Sequence, residues 1–384
     1  MQYIQMVEQI TTSSPVYNFS AGPGVLFADV LQKVQSEMLN WNNNGYSVLE
    51  LSHRMPEFSS MLMGVKQNLR KLLSIPCTHD VLFLQGGATQ MFSTIPMNFS
   101  TQRDTVDYIV NGYWSRYAAK EANKYSPVNI VGYANDSASC PDQSELRLSP
   151  GAAYVHYCSN ETIDGCEFDY VPETHGVPLI CDMSSNFLSK PIDVKRYGMI
   201  YAGSHKNVGP AGLVIAIVRM DMLGKCRSFT PTMMNLTEIS LNMSMLNTPP
   251  VFPMYFCGLT VQKLLDMGGL REMEKINMLK AKMVYDVIDQ SNGFYSVRVL
   301  GKNRSIMNIP FGLHNEEIQN KFLMEAKDLG LLGLEGHPKV GKCRASLYNA
   351  MPVEGVKRLV EFMAQFQIDN TPLKLCLAEA RDTA

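Results

Sequence analysis

The spacing of hydrophobic and polar residues predicts that helices and strands alternate along most of the chain. Apolar positions recur every three or four residues over 28–40 and 57–73, which is the period of an amphipathic helix, and a basic segment over 116–124 is also helix-like. Between such segments lie short apolar runs bounded by turn residues, as in strands covered on both faces. These runs occupy 81–84, 108–110, 153–157, 179–181, 199–202 and 213–218.

This alternation predicts an α/β fold in which helices cover a mostly parallel central sheet. The pattern changes after Pro249–Pro250, where nearly continuous helix is predicted over 254–289 with a break at Gly268–Gly269. Beyond it we expect strands over 295–300 and 305–310 and helices over 315–329 and 353–366. We therefore predict a large domain over 16–268 and a smaller C-terminal α+β domain over 269–384.

Composition and charge narrow the classes of function. Of the 384 residues, 46% are hydrophobic and 18% charged, and the formal net charge is −2, which supplies no overall field for nucleic acid or an anionic membrane. No apolar run approaches the ~20 residues of a membrane span, and the N-terminus lacks the pattern of a secretory signal. The nine cysteines show no metal-ligand spacing. We expect a cytoplasmic protein with free thiols, no metal, and neither nucleic acid nor membrane as a partner.

The glycine-rich loop between the last two predicted strands of the sheet carries a lysine, Lys206. If Lys206 is buried, its ammonium form is destabilised and its pKa falls, and a neutral amine can form a Schiff base. The alternative is a lysine at the exposed tip of a hairpin. The spacing alone leaves both interpretations open.

Asp182 directly follows the predicted strand over 179–181. The carboxyl ends of parallel strands are where open α/β sheets bind their ligands. A carboxylate there could keep a pyridine nitrogen protonated, as the electron sink of pyridoxal phosphate requires. The alternative is the N-cap of a helix, which Asp-Met-Ser-Ser also fits.

Two further features, a glycine-containing turn and a tryptophan, are weak evidence for a cofactor site when each is taken alone. The turn over 85–89 joins a strand to a helix through Gly86–Gly87, and the first N–H groups of such a helix can hold a phosphate. Trp114 follows a strand and could stack on a flat cofactor, although a tryptophan is more often part of the core.

Basic residues occur near both ends of the chain, at His53–Arg54 and at His337, Lys339, Lys342 and Arg344. They could converge on an anionic substrate, with an arginine holding a carboxylate through two hydrogen bonds, or they could be two unrelated surface patches. The overlapping run over 336–343 nearly matches a nucleotide-triphosphate loop. Cys343 replaces the magnesium-binding Ser or Thr, however, and too few residues follow, so we reject that interpretation.

Several segments taken together resemble the phosphoserine aminotransferases, a family of class V within the fold-type I pyridoxal-phosphate enzymes. They occur in one colinear order, and the resemblance extends from residue 17 to about residue 366. The segments are Tyr17–Pro23, Ser47–Arg54, Phe83–Ala88, Cys158–Gly165, Cys181–Pro191, Gly203–Gly212, Asn247–Pro250 and Arg344–Ala350. The resemblance implies transamination between L-glutamate and 3-phosphohydroxypyruvate, giving O-phospho-L-serine and 2-oxoglutarate, in serine biosynthesis.

The resemblance also implies roles for individual residues. Lys206 would carry pyridoxal phosphate and move the proton, Asp182 would pair with the pyridine nitrogen, and Trp114 would stack on the ring. Further cofactor contacts would come from Ala88, Thr89, Thr162 and His205, and from Asn247 and Thr248 across a homodimer with shared active sites. Arg344 would bind the α-carboxylate of the substrate. His53, Arg54 and His337 would receive its phosphate or the γ-carboxylate of glutamate.

The sequence departs from the family pattern at two places. His205 replaces the usual Gln, so we expect a group beside the cofactor phosphate that titrates near neutral pH. Pro338 replaces an Arg that binds the substrate phosphate, a loss of ~1.5–3 kcal/mol that we expect Lys339 or Lys342 to offset in part. Alternatives are a class V transaminase that has drifted to a non-phosphorylated keto acid, a binding protein without activity, and a desulfurase using Cys343.

Overall fold

The computed structural model describes residues 15–134, 139–337 and 342–371. Its strands are β1 (Tyr17–Asn18), β2 (His79–Gly86), β3 (Val106–Val110), β4 (Val128–Tyr133), β5 (Val155–Cys158), β6 (Asn160–Glu161), β7 (Cys166–Glu167), β8 (Leu179–Asp182), β9 (Met199–Gly203), β10 (Gly212–Arg219), β11 (Asn308–Phe311), β12 (Leu331–Leu332) and β13 (Cys343–Ser346). Its α-helices are α1 (Ala28–Glu37), α2 (Pro56–Leu73), α3 (Ala88–Phe99), α4 (Tyr113–Ala122), α5 (Leu236–Leu241), α6 (Val251–Asp266), α7 (Leu270–Asp289), α8 (Glu316–Asp328) and α9 (Val353–Asn370).

A seven-stranded sheet in the order β2-β10-β9-β8-β5-β3-β4 forms the centre of the fold. Within it, β10 is antiparallel to both of its neighbours and the remaining pairs are parallel. The predicted mostly parallel sheet is therefore confirmed. Asp182, at the end of β8, pairs in register with Cys158 on β5 and Tyr201 on β9, so its carboxylate lies in the middle of the carboxyl edge of the sheet.

Helices cover both faces of the sheet because its strands are apolar on both sides. Val81 and Phe83 of β2 lie in one core cluster with residues of α2 and α6, whereas Leu82 and Leu84 lie in a second cluster with residues of α3 and α4. Successive side chains of a strand point to opposite faces, which accounts for this division. None of the helices described is long and apolar enough to cross a membrane.

A third apolar core is built from the second half of α7 together with β11, α8, β13 and α9. Phe19 is fully buried in this core, and β1 pairs with β12, so residues 17–19 pack with the C-terminal elements although they precede the sheet in sequence. Helix α7 joins the cores, since Leu270 and Met273 belong to the sheet cluster and Val284 to the third. The predicted division at 268/269 stays a prediction.

The break between α6 and α7 falls at Gly268 and Gly269, where it was expected, and both glycines have a positive φ. The strand expected over 295–300 is wrong. Only Ser296 makes a bridge, to Gly312, because the opposing strand β11 spans Asn308–Phe311 and pairs with β13 instead. Strand β4 was not expected, and its pattern of half-buried residues explains why no apolar run marks it.

Candidate active site

A cavity of about 250 Å³ opens at the carboxyl ends of β5 and β8, beside the N-termini of α3 and α4. The predicted site residues that line it are Ala88, Thr89, Trp114, Thr162, Asp182, His205, Lys206, His337 and Arg344. These residues come from widely separated parts of the chain, so the fold assembles most of the predicted constellation at one place.

Lys206 lies in the tight turn between β9 and β10. The Ser204 carbonyl accepts hydrogen bonds from the backbone N–H groups of Lys206, Val208 and Gly209, at 2.8, 3.2 and 2.8 Å, which folds the turn back against the sheet. Only 8% of Lys206 is exposed, so the alternative of an exposed hairpin tip is wrong. Its Nζ donates a 2.6 Å hydrogen bond to Thr162 Oγ1.

The electrostatics of the cavity favour a reactive amine. Burial lowers the pKa of Lys206 to about 8. The Arg344 guanidinium lowers this pKa further, whereas the Asp182 carboxylate raises it. About a tenth of Lys206 is therefore uncharged at pH 7, far more than for an exposed lysine.

Asp182 is almost fully buried at the end of β8. Burial raises the pKa of its carboxyl, whereas the hydrogen bonds from Ser184 and Tyr201 and the charge of Lys206 hold it down. Its Oδ1 accepts from the Ser184 backbone N–H at 2.8 Å, within a turn that no helix follows, so the helix N-cap interpretation is wrong. A buried carboxylate beside Lys206 is suited to a cationic ring nitrogen.

The N-terminus of α3 forms a cradle for an anion. Gly87 precedes the helix in an extended conformation and no side chain caps it, so the first N–H groups of the helix face the cavity edge at Ala88 and Thr89. Such an end carries a partial positive charge and binds phosphate groups well.

His205 lies beside this cradle. A Cβ atom at Gly22 would lie 2.8 Å from His205 Cδ2, so the glycine is required by the close approach of the imidazole. Burial and the neighbouring Lys206 lower the pKa of His205 to about 4. In the protein without its cofactor, burial and Lys206 therefore favour a neutral imidazole, contrary to the expectation that His205 titrates near neutral pH.

Two cavity residues have buried donors that lack an acceptor in the described part of the chain. They are the indole Nε1 of Trp114, in the first turn of α4, and the Nε of Arg344 on β13. Arg344 also donates from Nη1 to the Thr162 carbonyl at 3.4 Å. Because buried donors are normally paired, these two are placed to meet a ligand.

Four predicted residues lie elsewhere. His53 and Arg54 precede α2 and do not line the cavity. Asn247 and Thr248 contact Gln85 instead, whose Nε2 donates to Asn247 Oδ1 at 3.1 Å and to the Thr248 carbonyl at 2.5 Å. Within a single chain the structure does not bring these four residues to the site.

The basic cluster near the C-terminus is only partly described. Lys339 and Pro338 lie outside the described residues. Lys342 lines a smaller adjoining cavity, of about 20 Å³, together with Arg298, His337 and Arg344. His337 and Arg344 line both cavities, so the smaller one extends the main site toward Lys342.

Sequence reasoning missed several polar residues of the cavity, among them Asn160, Ser184 and Ser185. Asn160 lies in the segment Cys158–Gly165 and the two serines in Cys181–Pro191, and runs of polar residues directly after buried strands are the signal that could have identified them. Glu161, which is fully buried next to Thr162, was also missed.

The remaining alternatives find little support in the geometry. Cys343 is fully buried and burial raises the pKa of its thiol to about 12, unlike a nucleophilic cysteine. The glycine-containing run before it leads into the strand β13 rather than a helix, so it is not a nucleotide-triphosphate loop. In the described ranges no group of three or more His, Cys, Asp or Glu side chains could hold a metal ion.

The donors and acceptors of the cavity fit pyridoxal phosphate. An uncapped helix end suits its phosphate, the Asp182 carboxylate its ring nitrogen, the Trp114 indole its ring face and the Lys206 amine its aldehyde. Each of these groups is a different chemical requirement of the cofactor, and all of them border one cavity.

Comparisons with known proteins give the same answer. The family model described as aminotransferase class-V matches residues 16–359. The chain is 49% identical to the phosphoserine aminotransferase of Chromobacterium violaceum, over 91% of this chain and 98% of that one. It is 46% identical to the chloroplastic phosphoserine aminotransferase 1 of Arabidopsis thaliana, over 92% of this chain and 82% of that one.

Solved structures agree. The phosphoserine aminotransferase of Bacillus circulans subsp. alkalophilus superposes with a TM-score of 0.91 at 39% identity, over 93% of this chain and 99% of that one. A PLP-bound phosphoserine aminotransferase from Trichomonas vaginalis superposes with a TM-score of 0.87 at 40% identity, over 91% and 99%. The chain is therefore a pyridoxal-phosphate-dependent aminotransferase of class V, with the fold-type I architecture. Within that class it belongs to the phosphoserine aminotransferase family, which confirms the resemblance seen in the sequence.

Proposed function

We propose that the protein transfers the amino group of L-glutamate to 3-phosphohydroxypyruvate, giving O-phospho-L-serine and 2-oxoglutarate in the biosynthesis of L-serine. The observation that carries the proposal is the convergence of Lys206, Asp182 and Arg344 on one cavity. In a chain that is 49% identical to a phosphoserine aminotransferase, this arrangement favours the same reaction. Free thiols at the described cysteines support the expected reducing, cytoplasmic location.

When bound, pyridoxal phosphate supplies an electron sink for negative charge at the substrate Cα. The N-terminus of α3 and the imidazole of His205 would hold its phosphate. Asp182 would keep its ring nitrogen protonated, and Trp114 would cover one face of the ring. These four contacts fix the position of the reacting carbon relative to Lys206.

Lys206 would act as the acid and base of the reaction. The Thr162 hydroxyl holds its Nζ at 2.6 Å, which orients the amine within the cavity. Uncharged Lys206 would accept the proton from the substrate Cα at its Nζ and would hold it there as an ammonium group for the transfer back to the substrate. A pKa of about 8 lies close to the pH at which general acid–base catalysis is most effective.

Arg344 would bind the α-carboxylate that every substrate of the reaction carries, since its Nε has no acceptor in the described residues. The second acidic group, a phosphate or the γ-carboxylate of glutamate, would then point toward the adjoining cavity, which is lined by His337, Lys342 and Arg298. We propose that Lys342 offsets part of the loss of the family's Arg at position 338.

We further propose a homodimer whose partner supplies the four residues that lie away from the cavity, namely His53, Arg54, Asn247 and Thr248. Mixing two inactive variants tests this. Chains carrying Lys206→Ala and chains carrying Arg54→Ala, unfolded and refolded together, should regain activity that neither variant has alone, because one site of each mixed dimer is then intact. Absence of regained activity would rule out sites shared through Arg54.

The activity itself is tested by turnover of O-phosphoserine with 2-oxoglutarate, followed as glutamate formed, with Lys206→Ala as the inactive control. We expect turnover with O-phosphoserine at concentrations where L-serine and L-alanine give little. Comparable rates with the non-phosphorylated amino acids would favour the drifted transaminase instead, and no turnover with a firmly bound cofactor would favour a binding protein.

A further inference from the structure

The first turn of α4, which carries Trp114, is capped from outside the helix. Gly112 occupies the N-cap position and has no side chain to accept a hydrogen bond. The acceptors come instead from the hairpin formed by β6 and β7 and its connecting loop. Asp164 Oδ2 accepts from the Tyr113 N–H at 2.8 Å, and Glu161 accepts from the N–H groups of Trp114 and Ser115 at 2.9 and 2.7 Å.

Glu161 makes the larger part of this cap. Its Oε2 accepts from Trp114, and its Oε1 accepts both from the Ser115 N–H and from the Ser115 hydroxyl, the latter at 2.7 Å. The same hydroxyl accepts from the N–H groups of Asn111 and Gly112, at 3.0 Å each. Two backbone N–H groups and a hydroxyl therefore donate to one carboxylate, an arrangement that favours the ionised form of Glu161 over the protonated one.

The cap is tightly enclosed. Glu161 is fully buried, and a Cβ atom at Gly112 would lie 2.5 Å from Glu161 Cδ and 2.6 Å from Asp164 Oδ2. The absence of a side chain at position 112 is thus what lets the two carboxylates reach the helix end. An anion at the N-terminus of a helix is also favoured by the helix dipole.

Glu161 connects the two sides of the cavity. Thr162, its neighbour in the chain, accepts from Lys206 Nζ and bonds Arg344 through its carbonyl. On the other side Glu161 fixes the backbone of Trp114, whose indole lines the same cavity. A shift of this carboxylate would move Trp114 relative to Thr162 and Lys206.

We propose that Glu161 is a positioning residue for the cofactor: its carboxylate caps α4 and thereby holds the Trp114 indole against the face of the ring that Lys206 carries. The proposal rests on the stacking role of Trp114 within the proposed function, and it does not depend on which amino acid is the substrate.

The charge on Glu161 provides a second test of the proposal, through its dependence on pH. Burial and the neighbouring Asp164 raise its pKa to about 7, against the lowering effect of Ser115 and Trp114. The other titratable groups that interact with it are Lys206 and Cys158. Lowering the pH through 7 should protonate Glu161 and weaken the cap, whereas raising it should strengthen the cap.

The experiment uses the holoenzyme with Trp41→Phe, so that Trp114 is the single tryptophan. Both carboxylate oxygens of Glu161 accept hydrogen bonds from the first turn of α4. In Glu161→Gln one of these oxygens is replaced by an NH₂ group, which cannot accept a hydrogen bond. We expect energy transfer from Trp114 to bound pyridoxal phosphate to fall at saturation, and the dissociation constant for the cofactor to rise about tenfold. In the Trp41→Phe holoenzyme with Glu161 intact, the energy transfer should decrease as the pH falls through about 7. In the same holoenzyme with Glu161→Gln it should not change over this range.

The matched control is Asn315→Ala, which removes the side chain that accepts from the Ile318 N–H at the start of α8, outside the cavity. It should lower stability without changing either cofactor signal. Unchanged transfer and affinity in Glu161→Gln would overturn the proposal. If that variant does not fold, Glu161→Asp decides in its place, because its shorter side chain cannot bring the carboxylate to both the Trp114 and the Ser115 N–H groups; unchanged transfer and affinity in Glu161→Asp would overturn the proposal. Failure of the proposed reaction would instead appear as lack of turnover with the Trp114 signal intact.

Discussion

The amine of Lys206 donates a 2.6 Å hydrogen bond to the hydroxyl of Thr162, which joins the turn after β9 to the hairpin of β6 and β7. The same threonine accepts from Arg344 through its carbonyl. One residue thus contacts both the amine expected to perform the chemistry and the guanidinium expected to bind the substrate carboxylate. Both functional groups are therefore anchored to the same buried residue.

Capture of pyridoxal phosphate by the apoprotein should depend on the protonation of Lys206. Burial lowers its pKa to about 8, so the uncharged, nucleophilic fraction grows as the pH rises through 8 and is small below 7. We expect the rate of the change in cofactor absorbance after mixing to rise with an apparent pKa near 8. Stopped-flow absorbance between pH 6.5 and 9.5 measures this, with Lys206→Ala as control. An apparent pKa near 10.5 would show that the amine is not desolvated as described.

Asp182→Asn should retain the cofactor and lose most of the activity. The amide keeps the shape of the side chain but not the negative charge that favours a protonated ring nitrogen. Loss of a preorganised electrostatic contact of this kind typically lowers kcat by about 10²–10³-fold. Steady-state assays, together with the visible absorbance that reports bound cofactor, separate the two effects. Wild-type kcat with Asn at this position would contradict the role given to Asp182.

Lys342→Ala should weaken binding of the phosphorylated substrate selectively. The loss of one charged hydrogen bond costs about 1.5 kcal/mol or more, which corresponds to a rise in KM for O-phosphoserine of about tenfold or more. The matched control is Lys302→Ala, which removes an exposed lysine bonded to Asp142 at 2.7 Å, away from both cavities. If KM for O-phosphoserine were the same in both variants, Lys342 would not contribute to the phosphate site.

Lys280→Met should destabilise the region that carries Arg344. Lys280 on α7 is fully buried, and its Nζ donates to the carbonyls of Leu347, Tyr348 and Met351 at 3.1, 2.8 and 3.1 Å. Methionine fills a similar volume but leaves these carbonyls without their donor, at a cost of about 3 kcal/mol. Denaturant unfolding followed by far-UV circular dichroism measures the change. A loss below about 1 kcal/mol would mean that the carbonyls find other donors.

Much of the sheet could be predicted from the sequence because its central strands are buried on both faces and therefore form short apolar runs. The half-exposed edge strand β4 has no such run, and the strand expected over 295–300 has the right pattern but no partner along its length. Local pattern does not report whether a partner strand is present.

The site was predictable where a residue type is unusual in its local setting. Lys206 between apolar strands and Asp182 after one are examples, and the resemblance decided between their alternatives. Glu161 could not be found in this way, because the N–H groups that it accepts from belong to Trp114 and Ser115, 47 and 46 residues away in sequence. The placement of His53, Arg54, Asn247 and Thr248 outside the cavity is likewise a property of the tertiary fold.

The most direct test is the visible absorption of the purified holoenzyme, recorded before and during addition of O-phosphoserine, with L-serine as the control. The account predicts a cofactor band that O-phosphoserine depletes at much lower concentration than L-serine does, because Lys206 is reactive and the cations beside Arg344 select for the phosphate. A band that responds equally to both amino acids would contradict phosphate selectivity, and a protein that takes up no cofactor would contradict the site itself.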